Sequence, residues 1–538
     1  MSSEANFQAV EAYGDPQRQS SDSFLSDPVK VATDLPKDYS GPRSQASLPK
    51  IVGLIKGLMN PLEPLDDNKG TTELLIGILT TLPSTLAART HLTNKLIDTL
   101  EGNLRHPPLS YVGGDVEYEV VGPAASATKQ ESKPSDIYRM PDGSFNNFLQ
   151  PNLGTAGTPY AKSVRSIKRL QGVKSGPGLL FDLLMAREES TFKENPAGVS
   201  SILFYHAPIM IHDMFRTSRI DMNMSDVSSC LDLALLYGSS LRDQLEIRTV
   251  KEGKLKPDTF HEKRLLGQPA GVKVMLVLYN RMHNYVADIL LKINENGRFT
   301  LACSADASPE GKAKAIAKQD HDLFNTARLI GGGLYVNISL HEYLRAITNT
   351  HSTKSDWTLD PRVDFSKQYD GEGVPRGVSN QVSVEFNLLY RFHSCISRKY
   401  EGWINNFFLK LFPGRNLDDL KNVSWAELGQ ALLTFEQTIP ADPSVRTFDG
   451  FERQVNGRFK DEDLARILKE AMDDPAGMFG ARNVPKALRI LTGDAPVNYQ
   501  ERAKMVKAIK NIPNLRSAIY DSVAHYGFDL TQEETFAL

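Results

Sequence analysis

Cysteine is scarce: Cys230, Cys303 and Cys395 are the only three in 538 residues. Odd in number and far apart, they support neither a disulfide framework nor a CxxC zinc site, and they suggest a reducing, intracellular setting. Charge of one sign is missing too. With 62 basic and 65 acidic side chains the formal net charge is −3, which gives no general electrostatic reason to bind nucleic acid. Nor is there a long apolar run. GVKVMLVLY at 271–279 is the best; it is half of the roughly 18 residues a membrane span needs and reads as a buried helix segment. The first residues, MSSEANFQAVEAYGDPQRQSSDSF, lack the basic and apolar regions of a secretory signal. The Asn-x-Ser matches at Asn223, Asn337 and Asn422 therefore carry little weight. Strand-like alternation is rare, with DVEYEVV at 115–121 the best case, and no repeat or low-complexity linker interrupts 180–520.

Helical periodicity is abundant. A chain of this length suggests roughly three to four ordinary domains, but the helical patterns run on without a linker. The expectation is one large, mainly α unit with little β over 46–525. It is preceded by a polar, mobile segment at 1–45 and followed by a tail at 526–538. LPKIVGLIKGLMNPL (48–62) and TELLIGILTTL (72–82) place apolar residues at helical intervals and break at Pro61 and Pro83. Both suit core helices, with a lipid-surface role as the alternative. Residues 105–160 read as a long loop with short turns. GLLFDLLMAR, VMLVLYNRMHNYVADILLKI, DLFNTARLIGGGLYVNISLHEYLRAI and EFNLLYRFHSCIS read as buried helices, and SWAELGQALLTFEQ and DEDLARILKEAMDD as outer ones.

Two of the 11 histidines lie in long apolar helices beside other reactive groups. In EFNLLYRFHSCIS (385–397), Tyr390 and His393 are three apart, which on a helix puts both on one face. In FYHAPIMIHDMFRTS (204–218), His212 is followed at once by Asp213. Two histidines on separate buried helices can merely satisfy hydrogen bonds in the core. They can also face one another across a flat cofactor, one as an axial iron ligand and one as an acid–base group for bound peroxide. GGGLYV (331–336) lacks the strand-then-helix context and the Lys-Ser/Thr of a phosphate loop; its glycines read as permitting close backbone approach. The spacing of His321 and the His212–Asp213 pair does not make a convincing non-haem iron triad.

EFNLLYRFHSCIS resembles the proximal helix of the cyclooxygenase branch of the animal-type haem peroxidases. Four further stretches agree in order: MIHDMFRTS with the distal helix, LDLALLYGSS (231–240), YNRMHNYVADIL (279–290), and DLFNTARLIGGGLYVNISLHEYLRAI (322–347) with the helix that lines the fatty-acid channel. RNVP (482–485) is similar to the plant α-dioxygenase stretch whose asparagine braces the proximal histidine. Within the superfamily the likeness is greatest to the dioxygenase domain of fungal linoleate diol synthases and psi-factor-producing oxygenases. Those are usually fused to a P450-like domain. Cys395 lacks the surroundings of a P450 thiolate, and the reading expects a stand-alone or shortened dioxygenase.

The resemblance implies a large helical haem peroxidase fold and a haem-dependent dioxygenase of a C18 unsaturated fatty acid, with linoleate foremost and O2 as co-substrate. It implies His393 as proximal ligand of a non-covalent haem b, Asn483 behind it, His212 as distal acid–base group and Tyr390 as the radical that removes hydrogen. It implies a channel with Tyr343 and Arg345 at its mouth and Val336 and Phe392 along the chain. It also implies a calcium set of Asp213, Ser228, the Cys230 carbonyl and Asp232. Two departures stand out. Pro208 replaces the glutamine that peroxidases keep four residues before the distal histidine, and Ala234 lacks the hydroxyl of the last calcium ligand. The rival readings are a peroxidase acting on small reductants, which Pro208 disfavours, and a haem- or lipid-binding scaffold without turnover. Peripheral membrane or lipid-body contact and homo-oligomer formation are left open.

Overall fold

A computed structural model describes residues 69–102, 110–112, 138–146, 151–162, 176–188, 192–304, 306–350, 356–359, 381–480 and 482–493. Proximity divides the chain into two compact units where one was expected: Met1–Leu104 with Ile347–Pro375, and Arg105–Ala346 with Arg376–Leu538. The boundaries expected at 45 and 525, the helix at 48–62 and the strand at 115–121 lie outside the described residues.

In the first unit, α1 (Lys69–Thr81) and α2 (Ala87–Gly102) form a small core. Leu75, Ile78, Leu79 and Leu82 recur at helical intervals and pack on Leu92, Leu96 and Trp357. Burying each such side chain stabilises by about 1.5–3 kcal/mol. The apolar stripe of 72–82 is therefore used internally, as a core helix should be. Pro83 follows and ends the pattern.

The second unit carries the chemistry on helices α3 (Ile202–Met214), α4 (Ala270–Ile293), α5 (Pro309–Ile338), α6 (Val384–Leu389), α7 (Arg398–Leu411), α8 (Trp425–Gln437) and α9 (Asp461–Met472). Its strands, among the described residues, are antiparallel two-residue pairs. Ser110–Tyr111 pairs with Ala161–Lys162, and Thr158–Pro159 with Met224–Ser225. α4 and α5 lie together through Val286, Ala287 and Ala327, with Met282 and Leu290 packed against them. α3 crosses α4 closely at Gly271, where a Cβ would come within 1.9 Å of the Tyr205 ring. α8 and α9 are outer helices, as expected. Ser424 and Glu427 form a capping box on α8, and Asp461, Glu462 and Asp463 fill the first turn of α9, where the helix dipole favours negative charge.

Two expected helices are interrupted. The 322–347 stretch is α5, then a π-helical turn Ser339–Tyr343, then Leu344–Ile347. Its glycines sit within α5. Only Gly331 meets a neighbour, with Tyr237 Oη 3.1 Å from a would-be Cβ, while Gly332 and Gly333 have nothing within 4 Å. Close approach therefore accounts for one glycine of the three. The 385–397 stretch breaks at Tyr390, with consequences for the site.

Candidate active site

His212 stands in the last turn of α3, four residues after a proline. Its Nδ1 lies 2.7 Å from the Pro208 carbonyl oxygen. A carbonyl only accepts, so Nδ1 carries the proton and Nε2 presents its lone pair. Nε2 has no hydrogen-bond partner among the described residues. Burial lowers the pKa of His212 to about 4, and the positive charge of Arg264 adds to the effect. The ring is nevertheless only half-buried by accessible area. The ring is held there as a neutral base.

The proximal stretch departs from the helical expectation. α6 ends at Leu389, Tyr390 has ψ 82° and Phe392 has φ −103°, ψ 32°. A 3-10 turn, His393–Cys395, follows. Tyr390 and His393 are thus not on one helix face. Beyond the break, the backbone carbonyls find donors from outside the segment. Asn483 Nδ2 donates to Ser394 O (3.2 Å), Gly477 N to Cys395 O (2.8 Å), and Arg187 Nη2 to Ile396 O (2.6 Å). These tertiary donors replace the i+4 amides of a helix. Gly477 is obligatory at this crossing: a Cβ there would meet Ser394 O at 2.2 Å. Asn483 also donates to the carbonyls of Lys193 and Met478. It braces the backbone beside the half-buried His393, and its bonds are to backbone groups rather than to the imidazole.

Tyr390 is held from two sides. Tyr343 Oη lies 2.6 Å from Tyr390 Oη, and Met210 Sδ lies 3.7 Å from it. Sulfur can only accept here, so in the contact with Met210 the Tyr390 hydroxyl is the donor, while either hydroxyl can donate in the tyrosine pair. Tyr343 is 6% exposed, which corrects the channel-mouth expectation: it is an inner partner of Tyr390. Phe392 wedges among these rings, edge-on to Tyr390 at 4.7 Å, to Tyr343 at 6.2 Å and to Phe479 at 5.6 Å. Val336 and Arg345 are half-buried and flank Tyr343 along the chain.

The residues of the expected calcium set have partners within the protein. Asp213 accepts from the backbone N–H groups of Leu233 (3.1 Å) and Ala234 (2.6 Å). Its pKa rises to about 8 through burial and then the charge of Asp232. Asp232 accepts from Ser228 Oγ at 3.1 Å and pairs with Arg328 at 3.1 Å and Arg139 at 3.4 Å. Cys230 packs its thiol on the Gly143 carbonyl at 4.0 Å. Two guanidinium groups supply the positive charge that a cation would bring. Among the described residues, no group of three or more His, Cys, Asp and Glu side chains is placed to hold a metal ion.

Four residues escaped the sequence reading. Arg187, 1% exposed, ties Asn483 O and Ile396 O together and pairs with Glu401. His206 donates Nε2–H to Ser339 Oγ (3.0 Å), whose own proton goes to Tyr335 O (2.8 Å). Its ring lies 5.0 Å from that of Tyr343. Gly477 and Met210 complete the four. Only His206 and Met210, both inside a run already singled out, carried a signal.

Residues 267–428 match the animal haem peroxidase family. Psi-producing oxygenase A of Aspergillus fumigatus is 44% identical over 428 residues, 79% of this chain and 37% of that protein. Linoleate 10R-lipoxygenase of the same species is 44% identical over 425 residues, 79% of this chain and 35% of that protein. Most of the chain is thus similar to these fungal oxygenases. A 7,8-linoleate diol synthase of Pyricularia oryzae is 40% identical over 426 residues, again 79% of this chain and 34% of its own length. The chain thus spans about a third of the curated relatives it matches. Among solved structures, the fatty acid alpha-dioxygenase of Oryza sativa aligns with 87% of this chain and 83% of its own at TM-score 0.45 and 14% identity.

Proposed function

We propose that the protein is a haem-dependent dioxygenase that converts a C18 unsaturated fatty acid, linoleate foremost, to a hydroperoxide inside the cell. The observation that carries the reading is the Tyr390 hydroxyl. It is fixed by Tyr343 and Met210, stands three residues before His393, and shares a unit with an unpartnered His212 Nε2.

The donor set suits a haem held without covalent links. His393 would hold the haem iron, and the backbone beside it is fixed through Asn483, Gly477 and Arg187. Arg391 is half-buried and bonds only to neutral acceptors, Tyr390 O and Asn387 Oδ1. An uncompensated guanidinium of that kind suits a haem carboxylate. Haem, when bound, supplies the one-electron oxidising power that no side chain has.

The chain's own residues do the rest. His212 Nε2 takes a proton from a hydroperoxide and returns it, a role its neutral state allows at pH 7. Tyr390 loses one electron and its hydroxyl proton. The phenoxyl oxygen keeps the Tyr343 hydrogen bond and takes a hydrogen atom from a fatty-acid carbon, restoring the phenol. O2 adds to the carbon radical. The peroxyl so formed takes a hydrogen atom back from Tyr390, which gives the hydroperoxide and the phenoxyl again. Val336, Phe392 and Arg345 are the candidates to touch the acyl chain and its carboxylate.

A peroxidase acting on small reductants is the second reading. Pro208, which offers no side-chain amide to a bound peroxide, disfavours it. The test is oxygen uptake by haem-loaded protein with linoleate beside Tyr390→Phe, with products resolved by chiral chromatography. Uptake by the parent and silence in a variant that keeps its Soret band support the reading. Equal activity in both removes Tyr390 from the mechanism.

A further inference from the structure

Met210 is, among the described residues, the sulfur-bearing side chain in contact with the Tyr390 hydroxyl. It stands in the last turn of α3, two residues before His212, and its sulfur accepts from Tyr390 Oη at 3.7 Å. It is packed against Tyr160, Met214 and Phe215 without being part of their buried cluster. Like His212 it keeps accessible surface while lying within the fold. Any molecule that reaches Tyr390 reaches this thioether.

We infer that Met210 is a modification site: the hydroperoxide made at Tyr390 oxidises it to the sulfoxide, and the change limits further turnover. The inference rests on the function proposed above, which supplies the oxidant. The sulfur attacks the terminal oxygen of the hydroperoxide, the O–O bond breaks and an S–O bond forms. The hydroperoxide becomes an alcohol, its alkoxide oxygen taking up the proton released from the transferred hydroxyl. Sulfur loses two electrons and the peroxide gains them. The product is polar and chiral where an apolar group stood. Its oxygen is a much stronger acceptor than the thioether. The Tyr390 O–H would be held by that oxygen, and the space facing the acyl chain would be narrowed by one atom. Sulfoxide reductases reverse such oxidation, so the arrest is reversible.

Two other methionines provide an internal control. Met222 is 81% exposed and Met472 is 64% exposed. Peroxide free in solution oxidises those first, whereas peroxide formed at Tyr390 meets Met210 first. The experiment follows sulfoxide at all three by peptide mass spectrometry while haem-loaded protein consumes oxygen with linoleate. The expected result is Met210 sulfoxide rising several-fold ahead of Met222 and Met472, in step with the decline in oxygen uptake. Met210→Leu, close in volume, should then yield several-fold more product per enzyme before arrest. Normal uptake with Met210 oxidised no faster than Met222 overturns the inference and leaves the proposed function standing. If no oxygen is consumed, the proposed function fails. Added linoleate hydroperoxide then decides Met210 alone: preferential oxidation supports the site, and oxidation in order of exposure refutes it.

Discussion

Replacing Arg187 by methionine tests whether the backbone beside His393 is held by a buried cation. The guanidinium donates to Asn483 O through Nε (2.9 Å) and Nη2 (2.6 Å), and to Ile396 O at 2.6 Å. Methionine keeps the apolar stem and removes every donor. Each charge-assisted bond contributes about 1.5–3 kcal/mol, and a buried carbonyl left without a donor costs about as much. The Glu401 pair adds little, because Glu401 is partly exposed and keeps Arg398 at 3.0 Å. Against these losses stands the desolvation of the guanidinium, which lowers its own pKa and which methionine does not suffer. The net expectation is a loss of about 3 kcal/mol. Thermal unfolding and Soret absorbance per protein chain are the assays. Arg242→Met, at a surface pair whose arginine side chain is 88% exposed, is the control. The expected result is a clearly lower midpoint and weaker haem retention for Arg187→Met alone. Equal midpoints and equal Soret bands would refute the reasoning.

Three further outcomes follow from the same contacts. Gly477→Ala should displace the 394–396 backbone, because its Cβ would lie 2.2 Å from Ser394 O. Overpacking of this kind costs about 1–3 kcal/mol, and a shifted or weakened Soret band reads it; an unchanged band and midpoint would count against the crossing. Stability should also fall as pH drops from the unfolded histidine value near 6.5 towards 4. His206 and His283, 3% and 0% exposed, have native pKa values lowered by burial to about 4, so the unfolded chain binds their protons first. Each contributes up to about 3 kcal/mol over that window. Asp213, raised to about 8, works in the opposite direction over the same range. Urea midpoints measured across this range check the net slope, and midpoints that stay level or rise as the pH falls would show that the two histidines do not outweigh Asp213. Finally, chelation of divalent ions should leave the melting midpoint unchanged, because Arg328 and Arg139 neutralise Asp232. A chelator-induced drop restored by calcium would reinstate a cation there.

Much of the fold was legible from periodicity. α1, α4, α8 and α9 lie where apolar spacing and Pro83 put them. His212 was legible too, as a histidine in an apolar helix. What the spacing missed was tertiary. Tyr343 was read by analogy as an outer residue, and nothing in HEYLRAI says that a π-helical turn swings its hydroxyl onto Tyr390. The calcium residues were read as a linear set. The arginines that answer them, Arg139 and Arg328, come from 93 residues before and 96 after Asp232, a separation that no local pattern records.

The break between Tyr390 and His393 takes the pair off a common helix face and leaves each residue with its own support. A continuous helix would consume the carbonyls of Ser394, Cys395 and Ile396 internally. Here they receive Asn483, Gly477 and Arg187 instead. Those donors converge from 186–200 and 475–484, joined by the bridges Ala186–Val484, Glu194–Gly477 and Ser200–Pro475. The histidine is thus set by a frame of crossed backbones, while the tyrosine is set by side chains of α3 and the π-helical turn. With separate supports, each group can be disturbed alone. Arg187→Met and Gly477→Ala should act through haem retention and leave the Tyr343–Tyr390 contact in place. Met210 and Tyr343 variants should change turnover without moving the Soret band. A Tyr343→Phe protein that lost its haem as readily as Gly477→Ala would show that the two supports are one.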